Sequence, residues 1–164
     1  MKIQISHEPQ LLGTAGTILA NQKFFSEGVN ILIHADNATD YDINNLITAH
    51  HQRPKECCLT MLTFNTDAPH KCGIVEIDKN GIVKGFYEKV ANPPGNRANG
   101  AVYVFDPEFI NILNCLDHPL NDFSTQVLPG LIGRIATHHT YDTFLDIGTP
   151  DNLVKAQEHW SLTS

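Results

Sequence analysis

The residues of this 164-residue chain that could do chemistry cluster in a few short stretches. The first is Val29 to Asp42, Val-Asn-Ile-Leu-Ile-His-Ala-Asp-Asn-Ala-Thr-Asp-Tyr-Asp. Asp36 sits just past the apolar run Val29 to Ile33, which has the length and composition of a buried strand. Open α/β sheets place ligand chemistry at such carboxyl ends. An isolated loop aspartate can equally cap a turn, and the residue alone leaves both readings open. The second stretch is Leu11-Leu12-Gly13-Thr14-Ala15-Gly16-Thr17 at a helix start. Its glycines would let a ligand approach free backbone N–H groups. They would equally let the helix pack close to the sheet, and the spacing alone favours packing. Glu88-Lys89 closes a strand-like segment and, on spacing alone, reads as a solvated pair. His50-His51 and His138-His139 lack carboxylate or cysteine company and read as surface residues rather than metal ligands.

Elements must position these groups. Lys2 to Ser6 alternates like a strand, and Pro9 ends it. A helix follows from the Gly13 stretch to about Phe25, and then the central strand that leads to Asp36. Asp42 is placed to N-cap an amphipathic helix, Ile43 to about Gln52. Cys58 to Phe64 reads as a strand. Gly73 to Asp78 and Ile82 to Tyr87 read as a hairpin, whose Asn80-Gly81 step supplies positive φ. Asn92-Pro93-Pro94-Gly95-Asn96 is a loop, and Ala98 to Phe105 a strand containing Asn99-Gly100. Pro107 starts a helix to about Leu116, and Asp122 caps a helical stretch through Ile132. His138 to Leu145 gives one or two short strands, and Asp151 to about Trp160 the last helix. Alternating strands and helices predict an α/β fold: a Rossmann-like mixed sheet, mainly parallel, flanked by helices, with a small antiparallel addition.

Composition sets the bounds. Residues 1–164 are expected to form one domain with a real core. A hydrophobic fraction of 41% and a charged fraction of 18% fit an ordinary soluble protein. No apolar run is long enough to span a membrane, and Met1-Lys2-Ile3-Gln4-Ile5 lacks a signal-peptide core. Cys57, Cys58, Cys72 and Cys115 show neither metal spacing nor a disulfide framework, so reduced thiols and the cytoplasm are expected. A net charge of −7 argues against a nucleic-acid surface and requires local cations or a metal for any anionic ligand.

With these pieces in order, the chain resembles the sugar-1-phosphate nucleotidylyltransferases, the nucleotide-sugar pyrophosphorylases. The matching stretches are Leu12-Gly13-Thr14-Ala15-Gly16, Ala35-Asp36, Cys72-Gly73-Ile74-Val75, Phe86-Tyr87-Glu88-Lys89, Asn99-Gly100-Ala101-Val102-Tyr103, Val127-Leu128-Pro129 and Asp146-Ile147-Gly148-Thr149-Pro150. Leu-Gly-Thr-Ala-Gly and Asp-Ile-Gly-Thr-Pro are most similar to enzymes that activate mannose or heptose 1-phosphates, often with GTP. The resemblance implies that Asp36 and Asp146 hold Mg²⁺, with phosphate oxygens and water completing the shell. It implies that Gly13, Thr14 and Gly16 approach the nucleobase, and that the Gly73 backbone approaches the sugar. Glu88 would accept sugar hydroxyls, Lys89 would contact the sugar phosphate, and Asn99 and Gly100 would line the sugar pocket; for Glu88-Lys89 the resemblance reverses the solvated reading. The implied reaction is nucleotidyl transfer from an NTP to a sugar 1-phosphate. A non-catalytic sugar-phosphate-binding or regulatory subunit is the alternative, and a generic α/β domain a third reading.

One family segment has no match. Such enzymes begin with a strand and a Gly-x-Gly-Thr-Arg loop that cradles the triphosphate, and this chain starts at what would be the third strand. The resemblance therefore implies an N-terminally truncated nucleotide-diphospho-sugar transferase fold, catalytically crippled alone. It also implies an exposed edge beside the Asp36 strand. A rearranged strand order, or a homo-oligomer exchanging strands, is expected to fill the gap.

Overall fold

Ala101-Val102-Tyr103-Val104-Phe105 is apolar at successive residues, the pattern of a strand covered on both faces. In the computed structural model, which describes residues 3–117 and 119–161, it forms the end of β6 (Arg97–Phe105), around which the sheet is built. On one side β6 pairs antiparallel with β3 (Leu59–Asn65). On the other it pairs antiparallel with β1 (Asn30–Ile33) and, through Ala98, with β4 (Gly73–Ile77). β5 (Val83–Glu88) pairs with β4, and β7 (Ile135–His139) runs parallel to β3. β1, β3, β4 and β7 thus share one direction, while β5 and β6 oppose it. The sheet is mixed, as the sequence predicts. Because β6 lies between β1 and β3, most ladders are antiparallel although most strands are co-directional. The β4–β5 hairpin and a separate ribbon of β2 (Asn37–Thr39) and β8 (Phe144–Asp146) form the antiparallel addition.

Alternation along β6 divides the core. Tyr103 and Phe105, with Leu59 and Met61, face α1 (Gly13–Ala20), α3 (Glu108–Asn114) and the turns Phe123–Val127 and Leu128–Leu131. Val102 and Val104, with Leu62, face Leu46 of α2 (Ile43–His51) on the other side. Tilted ring contacts join Phe105 to Phe109 at 5.0 Å and Tyr103 to Phe123 at 4.9 Å. Each large side chain sealed in this way contributes roughly 1.5–3 kcal/mol. The last helix, α4 (Pro150–Ser161), buries little beyond Ala156.

Local signals act as their chemistry dictates. Asp42 Oδ1 accepts from the Asn44 N–H at 3.0 Å and caps α2. Asp78 Oδ1 accepts from the N–H groups of Asn80 and Ile82, at 2.8 and 2.9 Å, and closes the hairpin turn. Gly81 takes a positive φ of +77° there, while Asn80 does not. Asp122 Oδ1 accepts from the Thr125 N–H at 2.7 Å, but Pro129 allows only a π turn and a 3₁₀ turn after it.

Three expectations are corrected. Lys2 lies outside the described residues, and residues 3–8 form no strand: no strand among the described residues lies alongside, and Ile3 and Ile5 stay exposed. β1 is an edge strand rather than the central, buried one its composition suggests, and it has the open edge that the resemblance implies beside the Asp36 strand. It pairs on one side only, so Ile31 and Ile33 remain 37% and 49% exposed. His50 is fully buried rather than on the surface. Its Nδ1 lies 2.8 Å from Thr60 Oγ1, and its Nε2 lies 3.4 Å from the Asp106 carboxylate that Arg53 holds.

Burial pushes the His50 imidazole down to about 4, helped by the neighbouring Arg53 guanidinium. The unfolded chain binds that proton near pH 6.5, so the contribution is complete above 6.5 and falls as pH drops from 6.5 towards 4. The full loss is on the order of 3 kcal/mol. Urea unfolding at pH 7.5 and pH 5 should show this decline in the native chain and a shallower one in His50→Gln. Equal declines in the two proteins would exclude His50 as its source.

Candidate active site

The site begins with a break in the β3–β6 ladder. Met61 pairs with Tyr103 and Thr63 with Asn99, so three residues of β6 face one of β3. Asn99-Gly100-Ala101 absorbs the excess. Ala101 takes a φ of +51°, and its N–H donates to the side-chain Oδ1 of Asn99 at 2.9 Å. The bulge turns the Gly100 carbonyl out of the ladder, where Asn37 Nδ2 donates to it at 2.8 Å. A side chain at Gly100 would meet the Leu62 carbonyl at 3.1 Å and the Phe144 ring at 3.2 Å. Asn99 Nδ2 donates to the Tyr103 hydroxyl at 2.7 Å. Burial pushes that phenol far above its ordinary range, so it stays a neutral hydroxyl.

Asn37 opens β2, which brings Asp36 with it. The register sets Asn37 opposite Asp146, and the Ile147 N–H donates to the Asp36 carbonyl at 2.8 Å. Asp146 Oδ1 accepts from the Gly148 N–H at 2.9 Å. A methyl built on Gly148 would stand 3.0 Å from Asp146 Oδ1 and 3.3 Å from Asp36 Oδ2. The two acids, 110 positions apart in the sequence, therefore converge on the small space that Gly148 leaves open. Among the described residues no group of three or more His, Cys, Asp or Glu side chains forms a metal site. Two exposed, hard carboxylate oxygens nonetheless suit Mg²⁺, which usually keeps several waters and takes substrate phosphate oxygens as its remaining ligands.

The β4–β5 hairpin supplies the other wall. Gly73 and Glu88 are register partners, and a Gly73 side chain would stand 2.6 Å from Glu88 Oε2. Lys89 follows with a strained φ of +49°, its N–H donating to the Cys72 carbonyl at 3.1 Å. Its ammonium lies 3.6 Å from Glu88 Oε1 and is otherwise solvent-exposed. Lys89 and Ala101 are the non-glycine residues at positive φ among those described, and both border this cleft.

The cleft encloses about 180 Å³ and is lined by Asp36, Asp146, Gly73, Glu88, Lys89, Asn99 and Gly100 together. Gly13, Thr14 and Gly16 lie outside that lining. Gly13 takes φ +71° because a Cβ there would stand 2.3 Å from the Asn121 carbonyl. Ala15 N–H donates to that carbonyl at 2.9 Å, and Thr14 Oγ1 accepts from the Phe123 N–H at 3.0 Å. These glycines thus serve close packing, against the 120–123 segment rather than the sheet. That segment leads to Ser124, which does line the cleft.

His34, Asn37, Phe64, Lys71, Cys72, Ala101 and Phe144 also line the cleft, although the sequence assigns them no role there. Cys72 and Ala101 lie within the matching stretches, and Asn37 and Lys71 adjoin them, which is the available signal. Phe64 and Phe144 stack at 4.6 Å across two elements, and no local pattern announces that pairing. A larger cleft of about 680 Å³ lies at the opposite end of the sheet, where β1, β3 and β7 begin. Its Arg53 is already committed to Asp106, and none of the motif residues reaches it.

Comparison with known proteins agrees with this geometry. The "Nucleotidyl transferase" family description matches residues 1–161, and the chain belongs to that family. A mannose-1-phosphate guanylyltransferase catalytic subunit beta from Drosophila melanogaster is 27% identical over 164 residues, covering 94% of this chain and 42% of the relative. The Dictyostelium discoideum protein of the same name is 25% identical over 158 residues, covering 94% and 43%. The chain therefore spans less than half the length of these relatives. Among solved structures, HddC from Yersinia pseudotuberculosis complexed with GMP-PN superposes with a TM-score of 0.74 at 25% identity, covering 93% of this chain and 64% of that one.

Gly148 does not adopt a left-handed backbone, so alanine is conformationally permitted there. Gly148→Ala should weaken Mn²⁺ binding, followed by electron paramagnetic resonance, by about tenfold, with little change in the urea midpoint. Unchanged Mn²⁺ affinity would show that the space between the acids holds no ion.

Proposed function

We propose that this chain carries the sugar-phosphate and cation half of a nucleotidylyltransferase site, and that the protein transfers a nucleotidyl group from an NTP to a sugar 1-phosphate. The gathering of Asp36, Asp146, Glu88, Lys89 and Asn99 in one cleft carries the reading. On this reading a phosphate oxygen of the sugar 1-phosphate forms a bond to the α-phosphorus of the NTP. The bond from that phosphorus to the bridging oxygen breaks, and pyrophosphate leaves. No covalent intermediate on the protein is needed, so catalysis is positioning and charge neutralisation. Bound Mg²⁺, held by Asp36 and Asp146, would supply a template and Lewis acid for the phosphates.

The chain's own groups have separate tasks. The Lys89 ammonium meets the sugar phosphate, a local cation that a chain of net charge −7 needs. Glu88 accepts hydrogen bonds from sugar hydroxyls, and Gly73 keeps the space beside it open. Asn99, fixed by Tyr103, and the Gly100 bulge orient the ring, while the stacked Phe64 and Phe144 give an apolar wall. The relatives named for mannose-1-phosphate guanylyl transfer and the GMP-PN complex of HddC support GTP as donor and a mannose-type acceptor; a heptose-type acceptor rests on the motif resemblance alone. The second reading, a binding or regulatory subunit, has its own support: Gly13 and Gly16 pack against the backbone of Asn121 and Leu120, Thr14 bonds to the Phe123 N–H, and none of the three lines the cleft. We place the protein in the cytoplasm, the compartment that the free thiols of Cys57, Cys58, Cys72 and Cys115 favour.

Pyrophosphate release from GTP and a panel of sugar 1-phosphates, with and without Mg²⁺, tests the assignment. Asp36→Asn and Asp146→Asn should each lower Mg²⁺-dependent turnover by a factor of a hundred or more, roughly 2.7 kcal/mol, while circular dichroism stays native. Near-normal turnover in either variant would remove that residue from the role. Saturable sugar-phosphate binding without any release by the native chain would favour the binding subunit.

The open edge of β1, with Ile31 and Ile33 exposed, also supports self-association by strand pairing between copies. Light scattering should give at least a dimer, and Ile31→Lys with Ile33→Lys should return it to a monomer. A monomeric native chain at tens of micromolar would refute the association.

A further inference from the structure

The β2–β8 ribbon has three residues in each strand, too few for such a ribbon to hold itself together in water. It nevertheless carries Asp146 and positions Asp36, so something must fix it. One end is anchored by Asn37 on the Gly100 carbonyl. At the other end stands Asp40, immediately after β2. Its N–H donates to the Thr143 carbonyl at 3.2 Å, and Thr39 Oγ1 donates to the same carbonyl at 2.7 Å. The Asp40 carboxylate is shared between two donors of the last turn of α4. His159 Nε2 lies 2.6 Å from Oδ2, and Trp160 Nε1 donates to Oδ1 at 2.8 Å. The His159 hydrogen bond holds the Asp40 carboxyl below its ordinary range, so it acts as an ionised acceptor.

α4 starts a few residues after Asp146 and runs back to Asp40. In its first turn Asn152 Nδ2 donates to the Asp146 carbonyl at 2.8 Å. The helix thus touches the ribbon at both ends while burying little apolar surface: Leu153 and Val154 are 42% and 51% exposed. Its hold on the ribbon is chiefly polar.

We infer that Asp40 is a positioning residue for the divalent-cation site: by clasping His159 and Trp160 it locks α4 across the ribbon and fixes Asp146 relative to Asp36. The inference rests on the proposed cation role of those two acids. Asp40 lies outside the cleft lining. It acts through the backbone that presents both carboxylates, as groups behind metal ligands commonly do.

The test is a Mn²⁺ titration of the full chain by electron paramagnetic resonance, paired with calorimetric titration of a sugar 1-phosphate without metal. Asp40→Ala should weaken Mn²⁺ binding by about tenfold or more and leave metal-free sugar-phosphate binding within about twofold. Trp160→Phe, which removes one donor and keeps a ring, should give a smaller shift in the same direction. His159→Gln, which keeps an N–H donor, should restore most of what His159→Ala loses. Native Mn²⁺ affinity in Asp40→Ala, with binding abolished in Asp36→Asn, would overturn the clasp and leave the site reading standing. Parallel loss of Mn²⁺ and sugar-phosphate binding would mark Asp40 as merely structural and overturn it equally. Unchanged Mn²⁺ binding in Asp36→Asn and Asp146→Asn would bring down the site reading, and the clasp with it.

Discussion

Two carboxylates of like sign, held close together on an acidic chain, are the constraint that shapes the rest of this molecule. Asp36 and Asp146 gain nothing from each other, since like charges facing across paired strands are destabilising. Both are exposed, so water screens them, but the backbone still has to hold them together. It does so with the Asn37–Asp146 register, the Ile147 N–H on the Asp36 carbonyl, and a glycine at position 148 that leaves the space between them empty. A divalent cation bound there would turn the repulsion into shared attraction. The arrangement is intelligible as a site built for charge that the protein lacks.

Backbone strain is distributed in the same way. A non-glycine residue in the left-handed region costs roughly 1–2 kcal/mol. Lys89 and Ala101 both bear that cost at the cleft, each with its N–H secured, by the Cys72 carbonyl and by Asn99 Oδ1. The core beneath them shows ordinary alternation. Tyr103 and Phe105 point one way from β6, and Val102 and Val104 the other. A rigid, conventionally packed strand thus supports an irregular one-turn excursion. The excursion turns the Gly100 carbonyl out of the β3 ladder and sets Asn99, still paired with Thr63, at the rim of the cleft.

Much of this was legible in the residues. Periodicity marks α2 and the strands, Asp42 and Asp78 mark a cap and a turn, and the unbroken apolar end of β6 marks a strand covered on both sides. The co-directional strands follow from the alternation of element types, but the position of β6 between β1 and β3 does not, because pairing is decided by tertiary packing. The one or two short strands expected over His138 to Leu145 are the end of β7 and the start of β8, whereas β2 goes unmarked: Asn37-Ala38-Thr39 is too short to show a period. β1 has a buried strand's composition yet lies at an edge, because composition records the preference of a segment and not who pairs with it. The Gly13 stretch shows the same limit. Its glycines permit close approach, but the spacing does not say to what: the approaching group is the Asn121 carbonyl, far along the chain, rather than the sheet. His50 reads as half of a polar pair, yet Thr60 and Asp106 supply the partners that let it sit inside.

The cleft has two unlike halves, joined among the described residues by a hydrogen bond. The acidic half is the ribbon; the hairpin and the bulge make up the half that, on the proposed reading, would meet sugar and phosphate. Asn37 Nδ2 on the Gly100 carbonyl is the direct link from one to the other. It comes from the residue next to Asp36 and ends on the residue next to Asn99. This bond pins the Asn37 end of the ribbon to the bulge, whereas Asp40 secures the far end, so the two anchors act on different parts of the cleft. Asn37 and the bulge share a partner, so substitutions at that link should not combine additively. The geometry ties the neighbour of Asp36 to the neighbour of Asn99 through one amide, which on the proposed reading would hold the place of the cation beside that of the sugar.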